Sequence, residues 1–324
     1  MAYKNIGILG GTGFVGQHLT SLLLEQGYQV KILSRKPYQH PTASLLLGAD
    51  IVAGNAFDND ALESFCEGLD VVINLVGILN EKKDNGQEFH HIHVDLAHRV
   101  VHACEVKHVP RLLHMSAINA DANKGSSYYL RSKGDAEDWA HHASEWGLSV
   151  TSFRPSVIFG ANDNFLNRFA NLLKITPFMF PLACPNSRFA PVYIHDVCKA
   201  FVAALESDNS IGKRYDLCGP VTYTLKQLVQ YTCQCLAIKR QIIGLPNILS
   251  RLQAIMLGML PAKPFSMDNY RSLQTDAICK HDGLSALNIN ATALEAVAPQ
   301  YLANDSRLGH LDSYRRLSPY HCKK

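Results

Sequence analysis

Long apolar runs are missing from this chain: no stretch of its 324 residues reaches roughly 18 uninterrupted apolar positions, which excludes a bilayer-spanning helix. An excess of charge of one sign is missing too. Lys and Arg number 31 against 28 Asp and Glu, a formal +3, and no block of five or six cations occurs, so nucleic acid is excluded as a partner. The nine cysteines contain no CxxC pair, and the nearest spacing, Cys233-Gln234-Cys235, has no partner cluster. That excludes a zinc-type framework and leaves buried or inert thiols in a reducing cytosol. The histidine run "HHIH" at 90–93 finds no complementary Asp, Glu or His set at ligand spacing, so no metal is expected. The opening "MAYKNIGIL" lacks a long apolar core before a small-residue cleavage site, which argues for a cytoplasmic location, with the inner face of the membrane as the alternative. Fixed-period repeats and low-complexity tracts are absent.

What is present is a globular composition, 47% hydrophobic and 18% charged, enough for a sizeable core. Apolar runs of strand length alternate with helical periods through the first half, the pattern of βαβ units building a parallel sheet. Strands are predicted at 5–9, 29–33, 50–53, 71–76, 111–115 and 149–153. The first intervening helix places Val15, Leu19, Leu22 and Leu23 on one face and stops at Gly27. Beyond 154 the alternation becomes irregular and proline-rich, where an added lobe begins. Three helices follow, with predicted N-caps at Asp196, at Thr224 with Gln227, and at Thr292 with Glu295.

Four glycines lie within seven residues at the end of the first strand: Gly10, Gly11, Gly13 and Gly16. A diphosphate is bulky and doubly negative, so backbone that approaches it closely carries no β-carbons, and the helix behind the turn offers free N–H groups and a positive dipole end. Strand, glycine turn and amphipathic helix occur in the required order, which favours dinucleotide binding over a merely tight turn. No Lys-Ser/Thr follows, so this is not a GxxxxGK[ST] loop. The fold expected is a Rossmann-type, doubly wound α/β sheet over residues 1–158, with 189–220 returning to it. Residues 159–188 and 221–324 would then form a smaller substrate or partner lobe.

At the end of the second strand stands Ser34-Arg35-Lys36, where a carboxylate would bind a ribose 2′-hydroxyl and repel a 2′-phosphate. Two cations and a hydroxyl suit the phosphate, so NADP(H) is preferred and NAD(H) is the alternative; a solvated basic turn would look the same. The second chemical signal is Tyr129 and Lys133, four apart on a predicted helix. A lysine cation beside a phenol lowers its pKa, and the phenol then exchanges a proton with a carbonyl or alcohol oxygen. Ser116, at the end of the fifth strand, would hydrogen-bond the same oxygen. The spacing is cheap, for Tyr320 and Lys324 repeat it; the position at the carboxyl edge of the sheet singles out the first pair.

With "GGTGFVG", "GNAFD", "VINLVG", Ser116, "YLRSK" and "RPSVIFG" in hand, the chain resembles extended or atypical short-chain dehydrogenases/reductases. "SFRPSVIFGANDNFLNRFANLL" and "FAPVYIHDVCKAFVAAL" are similar to the accessory NAD(P)H-binding subunit of respiratory complex I and its bacterial relatives, a group that includes proteins tied to ubiquinone synthesis. The resemblance implies Gly10, Thr12, Gly13, Phe14 and Val15 around the pyrophosphate and Ser34, Arg35 and Lys36 at the adenosine ribose. It further implies Asn55 and Ala56 near adenine, Val76 and Gly77 along the groove, Lys133 at the nicotinamide ribose, and Pro155 to Val157 at the nicotinamide. Asn55 and Ala161 depart from the Asp and Pro that the family often has there.

Two functions are compatible with these residues. One is an NADP(H)-dependent oxidoreductase or epimerase using Ser116, Tyr129 and Lys133 on a small molecule of unknown identity. The other is a non-catalytic nucleotide-binding protein docked on a respiratory or quinone-handling assembly. The full Ser/Tyr/Lys set favours the first. Residues 245–264, "LPNILSRLQAIMLGMLPAKP", read as an amphipathic helix too short to span a bilayer. A core or lid helix is the favoured reading there, with peripheral membrane or partner contact as the alternative.

Overall fold

A computed structural model describes residues 3–37, 46–260 and 263–303; Tyr320 and Lys324 lie outside them. All six expected strands form: β1 (Asn5–Leu9), β2 (Gln29–Ser34), β3 (Asp50–Ala53), β4 (Val71–Asn74), β5 (Arg111–Met115) and β6 (Ser149–Pro155). A further strand, Arg214–Leu217, pairs with β6 and carries that strand to Pro155 through Leu217. β4 ends two residues early because Asn74 Oδ1 accepts from the Val76 N–H at 3.1 Å and turns the chain out of the sheet. The seven strands are parallel, in the order Arg214–Leu217, β6, β5, β4, β1, β2, β3. The direction of winding reverses between β1 and β4, and the crevice outside the carboxyl ends of those two strands is where such sheets place ligands.

Successive strand residues face opposite sides. Ile6, Ile8, Ile73, Leu113 and Phe153 pack with α1 (Phe14–Glu25), while Leu9, Val72, Leu112 and Val150 pack with α2 (Asn59–Cys66). After α3, the single turn Gln87–Phe89, the second face is completed by α4 (Leu96–Val106) and α5 (Tyr128–His142). Leu19 and Leu23 of α1 are fully buried, each contributing about 2 kcal/mol. Gly27 ends the helix region with φ +85, and a β-carbon there would touch nothing, so the requirement is purely conformational.

The lobe has its own core, in which Leu166 and Leu173 of α6 (Leu166–Ile175) meet Leu228 and Val229 further along the chain. α7 (Ile194–Leu205) packs instead on the sheet beside α1, as do Val192 and Leu217. Leu284 and Leu287 join that same cluster from a stretch expected in the lobe. α8 (Leu225–Cys235) starts with the expected Thr224–Gln227 capping box. The other two expected caps do not form. Asp196 lies inside α7, whose N-cap is Tyr193, and its buried carboxylate accepts from the Thr292 N–H at 2.7 Å, so two supposed caps bind each other across the fold. The expectation of reduced thiols throughout is also corrected: Cys218 and Cys279 form a disulfide. α9 (Asn247–Gly258) and α10 (Met267–Ser272) follow.

Candidate functional site

The glycine turn lies at the switch point. Gly10 has φ +82, and a β-carbon on it would come within 3.3 Å of the Leu75–Val76 backbone, so the turn presses against the chain leaving β4. Gly16 is packed harder: its β-carbon would stand 2.2 Å from the Gly10 carbonyl oxygen, and only glycine lets α1 sit on the turn. Gly13 is the N-cap of α1, with no side-chain cap and no acidic residue in the first turn. Gln17 is the first helix residue whose N–H reaches back into the turn, to the Gly13 carbonyl oxygen at 3.0 Å. The N–H groups of Phe14, Val15 and Gly16 therefore precede the helical ladder. Two other helices are closed by the chain itself: Asp58 caps α2, while Ser127 and Asp268 together accept from Tyr128, Tyr129 and Leu130 at the start of α5. An uncapped helix behind a bare turn fits a diphosphate.

Ser34 is buried at the end of β2, and the exposed Arg35 and Lys36 follow; among the described residues neither cation makes an ion pair. Thr12 accepts from the Gln17 amide, which braces the turn. Asn55 is exposed after β3, with its Oδ1 on the Phe57 N–H, and Ala56 is half-buried beside it. Val76 and Gly77 lie on the exit of β4, and Pro155 to Val157 on the exit of β6. Gly77 connects the two halves of the site, because a β-carbon on it would be 3.2 Å from Lys133 Nζ and 3.4 Å from His93 Nε2. The Leu75–Gly77 segment is thus flanked by the glycine turn and by the amine of Lys133.

Tyr129 and Lys133 occupy α5 as expected, but their electrostatics differ from expectation. Lys133 is buried, donates to the Met115 carbonyl oxygen at 2.9 Å, and is pulled down to about 8 by desolvation, against which Glu137 acts. Tyr129 is pushed up to about 12, by desolvation and then by the Asp268 carboxylate, so the lysine does not lower the phenol as its spacing implied. Burial outweighs a cation that is itself held elsewhere. Among the described residues the Tyr129 hydroxyl has no hydrogen-bond partner, and the ring is met edge-on by Phe89 and His93.

Ser116 also departs from its expected part. Its buried hydroxyl donates to Glu137 Oε2 at 3.0 Å. Glu137 is fully buried and bound by Arg154 through both carboxylate oxygens at 2.9 Å. The serine thus completes the hydrogen bonding of a buried ion pair.

His93 entered the sequence reading only as the end of the histidine run at 90–93, set aside as a metal candidate, and not as a member of this site. It lies in a π-helical stretch, His90–Asp95, between α3 and α4. Its Nε2 accepts from the Ile78 N–H at 3.1 Å, so the proton sits on Nδ1 and is donated to Ser132 Oγ at 2.8 Å; that hydroxyl donates in turn to the Tyr129 carbonyl. Burial, and then the nearby Lys133, keep the imidazole neutral, far below its ordinary pKa. A π-bulge placing a buried polar side chain was the available signal, and one sequence does not display it.

Comparison with known proteins agrees with this geometry. The family model described as "NAD dependent epimerase/dehydratase family" matches residues 6–218. NADH dehydrogenase [ubiquinone] 1 alpha subcomplex subunit 9 of Mus musculus is 29% identical over 305 residues, 89% of this chain and 77% of that protein. The Arabidopsis thaliana counterpart is 29% identical over 294 residues, 86% and 71% of the two chains. Ceramide reductase of Caulobacter vibrioides is 27% identical over 198 residues, 61% of this chain and 60% of that one. Among solved structures, UDP-N-acetylglucosamine 4-epimerase from Methanobrevibacter ruminantium M1 superposes with a TM-score of 0.72 at 15% identity, covering 97% of this chain and 100% of that one.

Proposed function

The chain belongs to the NAD dependent epimerase/dehydratase family, and from that premise we propose that it is an NADP(H)-dependent reductase in which Tyr129 protonates a substrate carbonyl. It is an NAD(P)-binding protein of the short-chain dehydrogenase/reductase type, and its cofactor is a nicotinamide dinucleotide. The observation that carries the proposal is the shared segment Leu75–Gly77, touched by the diphosphate-type turn on one side and by Lys133 on the other. Preference for the 2′-phosphate rests on Arg35 and Lys36, both exposed where a repelling carboxylate would stand.

When bound, the reduced nicotinamide supplies a hydride. Tyr129 keeps its proton at neutral pH, and Lys133 stays mostly protonated there. The phenol's resting state serves reduction: it would give its proton to the oxygen of the carbonyl as the carbon gains the hydride and regain one from solvent, while the Lys133 ammonium, held on the Met115 carbonyl, keeps positive charge in the site. The relative named ceramide reductase works, by its name, in this direction. The test is NADPH oxidation against a panel of aldehydes and ketones that includes long-chain ones. Tyr129→Phe is expected to lose about 100-fold or more in turnover with NADPH affinity unchanged. Equal turnover in wild type and variant would remove the catalytic assignment.

A second reading is favoured by one observation, the engagement of Ser116 with Glu137, which takes one hydroxyl away from a reacting oxygen. In that reading the chain holds its nucleotide structurally and docks on a respiratory or quinone-handling partner; the relatives from mouse and Arabidopsis are, by name, subunits of an NADH dehydrogenase [ubiquinone]. Nucleotide found by native mass spectrometry with no hydride transfer to any carbonyl of the panel would favour it.

A further inference from the structure

α9 is turned inside out. Its buried residues are Ser250 and Ala254, and polar contacts fasten it: Ser250 Oγ accepts from the Cys184 N–H at 3.1 Å, and Gln253 Nε2 donates to the Pro181 carbonyl at 3.1 Å. The apolar side chains point away, with Ile248 82% and Met256 62% exposed and Met259, just after the helix, 79%. A surface helix in water orients the other way. The apolar side chains of α9 are therefore not packed in the core, as the core reading of 245–264 expected.

The exposed apolar surface continues beyond α9. Strand Gln241–Gly244, just before α9, pairs in parallel with strand Met179–Leu182; ahead of that second strand, Ile175 at the end of α6 and Phe178 in the following loop are 77% and 83% exposed. Two segments remote in sequence thus build one face. Neither contains a carboxylate: no Asp or Glu occurs from 164 to 195 or from 236 to 267. The same segments carry Lys174, Lys239 and Arg251; of their other cations, Arg188 is ion-paired with Asp276, and Arg168, Arg240 and Lys263 donate to backbone carbonyls. The carboxylates of the whole chain, 28 of them, are nearly as many as its cations, so their exclusion from both strips of one face is a local feature.

We propose that this face is a docking surface for an anionic lipid bilayer, with the α9 and Ile175–Met179 side chains entering the acyl boundary and the cations lying at the headgroups. Apolar side chains beside a rim of one charge sign match a surface of uniform negative potential. Membrane attachment of this kind is peripheral, since no helix of the described residues is long and apolar enough to cross a membrane. The proposal goes beyond the reductase reading and does not depend on it.

The test is cosedimentation of the whole chain with vesicles of phosphatidylcholine alone or mixed equally with phosphatidylglycerol. Wild type is expected to bind the mixed vesicles more tightly, and salt is expected to weaken that binding. The double variant Ile248→Glu/Met256→Glu is expected to lose at least about tenfold in affinity, and Arg251→Glu about fivefold on anionic vesicles. Both variants change exposed side chains, so melting temperature and NADPH binding report that the fold persists. Absence of wild-type binding to anionic vesicles, or equal binding by the double variant, would overturn the proposal. So would self-association that the double variant abolishes and vesicles do not compete with, which would assign the face to a second copy of the chain.

Discussion

Gly13→Ala separates binding from folding at the glycine turn. Gly13 has φ −79 and ψ 178, a conformation open to any residue, and beyond its chain neighbours an added β-carbon would meet only the Gly10 carbonyl oxygen, at 3.2 Å. Alanine is a poorer N-cap by about 0.5–1 kcal/mol. Its smaller unfolded-state entropy offsets that by about 0.4–1 kcal/mol. The net is near zero, so Tm measured without nucleotide is expected to stay within about 3 °C of wild type. Affinity responds differently, because the methyl is added to exposed backbone at the N-cap, next to the first N–H groups of the helix. Losing one hydrogen bond to a charged diphosphate costs about 1.5–3 kcal/mol, which is about 10- to 150-fold in Kd. Calorimetric titration with NADPH beside a thermal melt reads both quantities. A Kd within about threefold of wild type would refute the placement of the diphosphate. A fall in Tm beyond about 10 °C would refute the claim that the turn accepts the methyl. Gly16→Ala is no substitute for this experiment, since its β-carbon would stand 2.2 Å from Gly10 O and 2.5 Å from Gly11 Cα, and the backbone itself would have to move.

Arg35→Ala is expected to weaken NADPH binding by about tenfold at low ionic strength and less in physiological salt, with NADH affinity unchanged; equal losses for the two coenzymes would end the argument from β2. Lys133 predicts a pH dependence of stability with a definite sign. Its folded pKa, about 8, lies below the 10.5 of an exposed lysine, so between those values the unfolded chain binds more protons and stability rises with pH. Relative to Lys133→Met, the unliganded wild type is expected to gain about 3 kcal/mol between pH 8 and 10.5, with no change contributed below pH 8. Urea denaturation across that range measures it, and a flat difference would show that the amine is not buried in solution.

The strands were legible because the strands of a sheet covered on both faces carry apolar runs that neither solvent nor a remote partner rearranges: "NIGIL", "VVIN" and "RLLHM" are buried almost throughout. Errors fall where a distant group decides. Arg214–Leu217, "RYDL", pairs on the edge of the sheet and lacks the apolar signature, and β6 runs on past Phe153 beside it. Asp196 and Thr292 each carry the local chemistry of a cap, and nothing local says that 96 residues of chain bring them together. The Cys218–Cys279 bond, with a separation of 61, follows no spacing motif either.

The candidate site divides in the same way, and the division says which of its claims are robust. The diphosphate turn is mostly local: Gly13 and Gly16 act on backbone of the turn itself, and only Gly10 also answers to a distant segment, Leu75–Val76, so the glycine pattern carries most of its own geometry. Acid–base chemistry is not local. Tyr129 and Lys133 share a helix by spacing, yet the proton affinities of both are set by burial, and that of Tyr129 also by Asp268, more than a hundred residues away. Ser116 was assigned from its place at a strand end, but strand residues alternate faces, and the side on which Glu137 and Arg154 wait decides where its hydroxyl goes. The histidine run at 90–93 drew notice, but the part His93 plays here was not readable, because both its partners, Ile78 and Ser132, come from other elements. A bound substrate oxygen would give the Tyr129 hydroxyl the hydrogen-bond partner it lacks among the described residues, and would act on the very burial that raises its pKa. The phenol's proton affinity is therefore expected to depend on occupancy of the site.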